Sequence, residues 1–394
     1  MINQTMYELG TNKSCIRELF EYGLRQAAIV GKENVYDFSL GNPSVPAPKA
    51  VIDAFCDITA WENTLAVHSY TPASGAMDAR QAVAEELSRR TGSVVRPDNI
   101  FFTCGAAPAL VSMLRALAVE DSEVIALIPY FPEYRPFVTC NGHKFVTVPA
   151  DLPDFQINFP ELEKRLNAHT QAIIVNSPNN PSGAIYSVDT LQKLAQLLTA
   201  KSREYGHPIY IIADEPYREL VYDGCTVPYI PDIYPNTVIC YSYSKSFSLP
   251  GERIGYFCVP DCVEDGDALF AAAAGAARIM GHVCAPSLQQ QVVRLCPEQR
   301  PDLAEYDRNR TTLYNALTAY GYDCVKPQGA FYLFVKAPYG TAREFSDKAK
   351  LQNLLIVPGD DFGCPDYFRL STCVSYDMIR RSLPIFEQLI AQKS

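Results

Sequence analysis

Residues 209–217 read IYIIADEPY. The run Ile209–Ala213 is apolar without alternation, and a carboxylate follows it at once. A strand with one wet face alternates. A continuous run fits a strand covered on both faces, as in a parallel sheet with helices on either side. Six more runs share this character: Ile100–Thr103, Glu123–Ile128, Lys144–Val148, Ala172–Asn176, Thr237–Tyr241 and Gly255–Val259. Between and around them lie amphipathic helical patterns at Ala76–Arg90, Ala107–Ala118, Phe159–Ala168, Val188–Tyr205 and Cys284–Leu295. This alternation predicts an α/β fold, with a large doubly wound, mostly parallel sheet domain over residues 48–285.

The remainder differs. Residues 286–325 read as one long helical region. Strand-like FYLFV (331–335), LLIVPG (354–359) and YFRLSTCV (367–374) follow, with helices expected at Ala342–Leu351 and Tyr376–Lys393. The first 47 residues offer one helical stretch, Ser14–Val30, too little to fold alone. Residues 1–47 and 286–394 are therefore expected to form a smaller α+β domain from both chain ends.

The chain has 394 residues and a net charge of −10. That sign repels phosphate backbones and anionic lipid, so neither nucleic acid nor a membrane surface is an expected partner. No apolar stretch approaches the ~20 residues of a bilayer span, and the N-terminus lacks a basic start followed by an apolar run. These features predict a cytoplasmic protein. The 13 cysteines form no C-x-x-C pair and the five histidines no H-x-x-x-H pattern, so the thiols read as small apolar residues and no metal site is expected.

In open α/β sheets, ligands sit beyond the carboxyl ends of the strands. After Thr103, Gly105-Ala106-Ala107 opens a helix, whose N-terminus suits an anion; by itself this is also a common structural turn. After Asn176, the string SPNNPSG enforces a turn and presents Asn180. After Ala213 comes Asp214, with Tyr217 three residues on. A carboxylate emerging from an apolar strand needs a cation, and a protonated heteroaromatic nitrogen is one; a helix N-cap is the structural alternative. After Tyr241, SYSKSFSLPGERIGY places Lys245 in a run of Ser, Tyr and Phe, where desolvation makes an amine nucleophilic. Ser242 and Arg253 flank it, and Arg253 can clamp a phosphate. A lysine for an imine, an anion for a ring nitrogen, donors for a phenolic oxygen and a phosphate cup are together what pyridoxal 5'-phosphate needs.

The chain resembles the fold-type I pyridoxal-phosphate aminotransferases of class I/II, the aspartate aminotransferase-like superfamily. The matching strings are SLGNP (39–43), YTPASG (70–75), TCGAAPAL (103–110), PYFPEY (129–134), NSPNNPSG (176–183), ADEPY (213–217), SYSKSFSLPGERIGY (242–256), GAFYLFV (329–335), VPGDDFG (357–363) and FRLS (368–371). The resemblance implies that Lys245 joins the cofactor through an imine and then moves the substrate α-proton. It implies that Asp214 pairs with the ring nitrogen and that Tyr217 and Asn180 hold the phenolic oxygen. Gly105, Ala106, Ala107, Ser242 and Arg253 would bind the phosphate, and Phe131 would stack on the ring. Arg369, Asn180 and the backbone at Gly41 would hold the substrate carboxylate. Tyr70 would reach the phosphate of a neighbouring subunit, which implies a homodimer with shared active sites.

Two positions depart from the pattern. Ala107 stands where many relatives have polar residues and one aspartate-accepting branch has lysine, and Phe131 lacks a hydrogen-bonding group. The expected activity is ping-pong transfer of an amino group from an L-amino acid to a 2-oxo acid. A carbon–sulfur β-lyase on the same scaffold is the alternative, and a non-enzymatic regulator is disfavoured because Lys245 and Arg369 are both kept. Arg17, in the N-terminal helix, reads as a surface residue or as an attractor for a distal carboxylate.

Overall fold

The structure is a computed structural model that describes residues 1–12, 14–60 and 64–392. Its centre is a seven-stranded sheet. Strands Ile100–Thr103, Glu123–Leu127, Lys144–Val148, Thr170–Asn176, Tyr210–Asp214, Thr237–Ser242 and Gly255–Cys258 match the seven apolar runs. Named by first residue, they lie side by side in the order Ile100, Gly255, Thr237, Tyr210, Thr170, Glu123, Lys144. The Gly255 strand runs antiparallel to both neighbours, and the other pairs are parallel.

Both faces are covered, which is why the runs do not alternate. On one face Val124, Ala126, Ile174 and Ile212 pack under Leu110, Met113 and Leu114 of the Ala106–Ala116 helix, with Leu269 and Ala273 of the Gly266–Ile279 helix beside them. On the other, Ile125, Leu127, Ile173 and Ile211 meet Leu191, Leu194 and Leu198 of the Val188–Tyr205 helix. Further along that face, Ile100, Phe102 and Ile239 meet Val83 and Leu87 of the Met77–Thr91 helix and Val292 and Val293 of the Ser287–Leu295 helix. Each such buried side chain contributes about 1.5–3 kcal/mol, so the layers are held mainly by apolar burial.

A second, antiparallel sheet joins Tyr332–Lys336, Tyr367–Ser371 and Val357–Pro358. The expected strand at 354–359 is in fact two short pieces. Leu354–Leu355 pairs with Tyr36–Asp37 near the N-terminus, and Val357–Pro358 pairs with the Tyr367–Ser371 strand. Phe38, Leu313, Phe345, Phe368 and Phe386 fill the core beneath this sheet.

The expected single helical region over 286–325 is corrected. It is two helices, Ser287–Leu295 and Leu303–Tyr320. Pro297 and Pro301 in the sequence CPEQRPD between them cannot donate helix hydrogen bonds. Asp302 caps the second helix by accepting from the Ala304 N–H at 2.9 Å. Helices at Gln4–Thr11, Lys49–Thr59, Tyr134–Cys140 and Gly266–Ile279 were not anticipated. The last helix runs Tyr376–Ala391, and the expected end at Lys393 lies outside the described residues. Among the described residues, no helix is long and apolar enough to cross a membrane.

Candidate active site

A cavity of about 320 Å³ opens at the carboxyl ends of the parallel strands. Of the expected site residues, Gly41, Ala106, Ala107, Phe131, Asn180, Asp214, Tyr217, Ser242, Lys245, Arg253 and Arg369 line it. Gly105 stands directly behind Ala106 as the residue preceding that helix. Tyr70 does not line the cavity; it is 87% exposed.

Asp214 is the last residue of its strand, and no helix starts on it, so the N-cap alternative is corrected. Its Oδ2 accepts a hydrogen bond from the Tyr134 hydroxyl, while Oδ1 is buried with no partner. Burial pushes its pKa up to about 7, against the pull of the Tyr134 bond; nearby Glu215 adds to the rise. Asn176, at the adjacent strand end, donates its side-chain amide to the Asp214 carbonyl at 2.8 Å and accepts from the Asn180 N–H at 2.7 Å. One amide thus fixes two of the expected site residues.

Lys245 follows the next strand, on the short helical turn Tyr243–Ser246. Its ammonium donates to the Gly41 carbonyl at 2.8 Å and lies 5.3 Å from the Phe331 ring centroid. Burial lowers its pKa to about 8, and the Arg253 and Arg369 charges push the same way. Near neutral pH such a lysine supplies free amine far more readily than a solvated one. Gly41 approaches closely: a Cβ there would overlap the Tyr332 hydroxyl.

At one end of the cavity the Ala106–Ala116 helix starts without a side-chain cap. Its first N–H groups lack intrahelical partners, and its dipole favours an anion. Gly105 makes this turn with φ +94°, and a Cβ would come within 2.5 Å of Arg253 Nη2. Arg253 donates to Ser244 Oγ at 3.2 Å and to the Cys104 carbonyl at 3.1 Å, and Ser242 Oγ bonds Ser244 Oγ at 2.8 Å. The free helix N–H groups, Ser242, Ser244 and the Arg253 guanidinium thus gather at this end of the cavity.

At the other end Arg369 is buried. It donates to Asn180 Oδ1 at 3.1 Å and to the Ser39 carbonyl at 2.6 Å, and its Nε has no partner. Its guanidinium lies 4.6 Å from the Tyr332 ring centroid. Tyr332 also bonds the Tyr217 hydroxyl at 3.1 Å. Tyr134, Asn176 and Tyr332 carry this geometry without having been assigned roles. Tyr134 and Tyr332 sit inside the strings PYFPEY and GAFYLFV, but only the folded chain shows what they touch.

The family model for aminotransferase class I and II matches residues 33–383. A solved amino transferase from Eubacterium rectale is 52% identical, with a TM-score of 0.98, covering 100% of this chain and 99% of that one. An aromatic-amino-acid aminotransferase of Thermococcus litoralis is 28% identical over 97% of each chain. An aspartate/prephenate aminotransferase of Thermus thermophilus is 30% identical over 89% of this chain and 90% of its own. These comparisons support amino-group transfer and lend nothing to the β-lyase alternative. The chain belongs to the class I and II aminotransferases and is an enzyme that transfers an amino group from an amino acid to a 2-oxo acid.

Proposed function

We propose that the cavity holds pyridoxal 5'-phosphate and that the reaction proceeds in two half-reactions, donor first and acceptor second. The observation that carries this reading is the buried, unpartnered Asp214 Oδ1 in the cavity that also holds Lys245. An apolar ligand would leave that carboxylate uncompensated, at a cost of several kcal/mol. A protonated ring nitrogen satisfies it. The uncapped helix at Ala106, with Ser242, Ser244 and Arg253, suits a phosphate, and Phe131 offers an aromatic face to the same cavity.

Bound there, the cofactor supplies the carbonyl that takes up the amine and the ring that accepts the carbanion's electrons. The chain does the rest. Arg369 and Asn180 orient the substrate carboxylate, with the Gly41 backbone beside them. Lys245 Nζ removes and returns the α-proton, a role suited to an amine whose pKa burial lowers to about 8. Asp214 would pair with the protonated ring nitrogen. Tyr217, kept protonated by burial, would donate to the phenolic oxygen, with Tyr332 orienting its hydroxyl.

The same proposal includes a homodimer with shared sites. Tyr70 is exposed and does not line its own cavity, and exposed Leu65, Ile279, Met280 and Val283 suit burial against a second copy. It includes a large domain over 48–285, supported by the seven-stranded sheet, and a smaller one from 1–47 and 286–394, supported by the three-stranded sheet. It also includes a cytoplasmic location. The test is borohydride reduction of the cofactor-loaded enzyme followed by peptide mapping. The expected label is on Lys245; a label on another lysine, or none, overturns the assignment.

A further inference from the structure

Asp214 does not stand alone at its strand end. Its Oδ2 accepts from the Tyr134 hydroxyl, a residue 80 positions away in the chain, and both side chains are buried. With Oδ2 taken, Oδ1 is the oxygen left for a ligand, and it has no partner. Asp214 lines the cavity and Tyr134 does not. Any influence of this phenol on a ligand therefore passes through the carboxylate.

Tyr134 is itself held in place. It is the first residue of the Tyr134–Cys140 helix, and its N–H donates to the Phe131 carbonyl at 3.0 Å. Its ring meets the Phe131 ring edge-on, with centroids 5.7 Å apart and planes at 83°. It packs in one core with Leu110, Met113 and Ile212. One side chain thus braces both the aromatic wall at Phe131 and the carboxylate at Asp214.

The same bond bears on where a proton shared with Asp214 resides. The titratable groups around Asp214 are the Tyr134 and Tyr217 hydroxyls, the Glu215 carboxylate and the Cys240 thiol. Lys245 lines the same cavity but donates to the Gly41 carbonyl. Burial, with the Glu215 charge beside it, favours the protonated Asp214 carboxyl, and the Tyr134 bond opposes both. Burial and the Asp214 charge keep the Tyr134 proton on its phenol. A donor that keeps its proton stabilises the anion and does not compete for the ligand's proton.

We infer that Tyr134 is a positioning residue for amino-group transfer: its hydroxyl leaves Asp214 Oδ1 for the ring nitrogen and keeps that carboxylate the weaker base of the two, so that the proton stays on the ring. This rests on the proposed pairing of Asp214 with that nitrogen. The test is Tyr134→Phe, which removes one hydroxyl and keeps the ring. In the cofactor-free protein, the infrared band of a protonated carboxyl that Asp214→Asn abolishes reports the Asp214 proton. Its midpoint, about 7 in the wild type, is expected to rise by roughly one to two pH units in Tyr134→Phe, the scale of a hydrogen bond to a charged group. In the cofactor-loaded enzyme, the donor half-reaction is expected to slow about tenfold, with half-saturation for the donor within about threefold, because Tyr134 touches no substrate. Since the phenol acts through Asp214, adding Tyr134→Phe to Asp214→Asn should change the rate by no more than about twofold. An unshifted midpoint overturns the role, as does a further loss of about tenfold in the Asp214→Asn background. Both of those outcomes leave cofactor binding by the wild type in place. A wild type that binds no pyridoxal 5'-phosphate overturns the underlying reading, and the role of Tyr134 with it.

Discussion

Asp214 and Glu215 are adjacent, both buried, and differently provided for. Glu215 faces Arg218 in an ion pair, and Arg90 bonds Glu219 close by at 2.8 Å. Each has one buried oxygen without a hydrogen-bond partner, but among the described residues Asp214 has no cation, only the Tyr134 hydroxyl. Burial raises both carboxyl pKa values, and at Glu215 the Arg218 charge opposes the rise. Glu215 carries its counter-ion within the fold; on the proposed reading Asp214 takes one from a ligand.

The largest test of this contrast lies at the other end of the functional pair. Lys245→Ala removes the proposed base and attachment point. Half-reaction rates are expected to fall about 10⁴-fold, the upper range for a positioned proton carrier. A variant within tenfold of wild type would break the assignment.

Asp214→Ala and Glu215→Gln sharpen the comparison most directly. Asp214→Ala should cost at least about 10² in rate, since an unpaired buried charge costs about 3–5 kcal/mol and 1.4 kcal/mol is tenfold. Glu215→Gln leaves Arg218 uncompensated, so it should lower stability by about 3 kcal/mol in denaturant titrations while the rate per folded molecule stays within threefold. The reverse pattern would mean that the two carboxylates have been given each other's roles.

The cofactor-free protein should also betray its unpaired groups through pH. Asp214, held up to about 7, binds its proton more tightly folded than unfolded, so its contribution to stability falls as pH rises to about 7. Lys245, lowered to about 8, binds its proton less tightly when folded, so its contribution rises with pH above about 8. The difference in stability between wild type and the Asp214→Asn, Lys245→Met double variant should therefore dip between about pH 7 and 8. A flat difference contradicts the burial argument at both positions.

Gly105→Ala is the smallest expected effect. Its φ of +94° and the closeness of Arg253 both resist a side chain. A strain of about 1–3 kcal/mol at this positive-φ, extended backbone predicts at least roughly fivefold weaker cofactor binding with an unchanged donor preference. Titration of the cofactor-free variant reads this directly; unchanged binding would remove Gly105 from the proposed phosphate site.

The sheet was legible because its strands are covered on both faces, which forces continuous apolar runs such as Val124–Leu127. The site was legible wherever chemistry sits at a strand end: Asp214, Lys245 and the Gly105 turn all follow such runs. What could not be read is what crosses between distant segments. The Tyr134–Asp214 bond joins residues 80 apart and the Tyr217–Tyr332 bond residues 115 apart, and neither leaves a local pattern. The misread region 286–325 is different, because Pro297 and Pro301 were visible breakers there.

The central claim is that Asp214 and Lys245 await one ligand. The most direct measurement is the visible spectrum of the purified protein with pyridoxal 5'-phosphate, recorded before and after a single amino acid and then a 2-oxo acid. A band is expected that disappears with the amino acid and returns with the oxo acid. No band in the wild type, or the same band in Lys245→Ala, would contradict it.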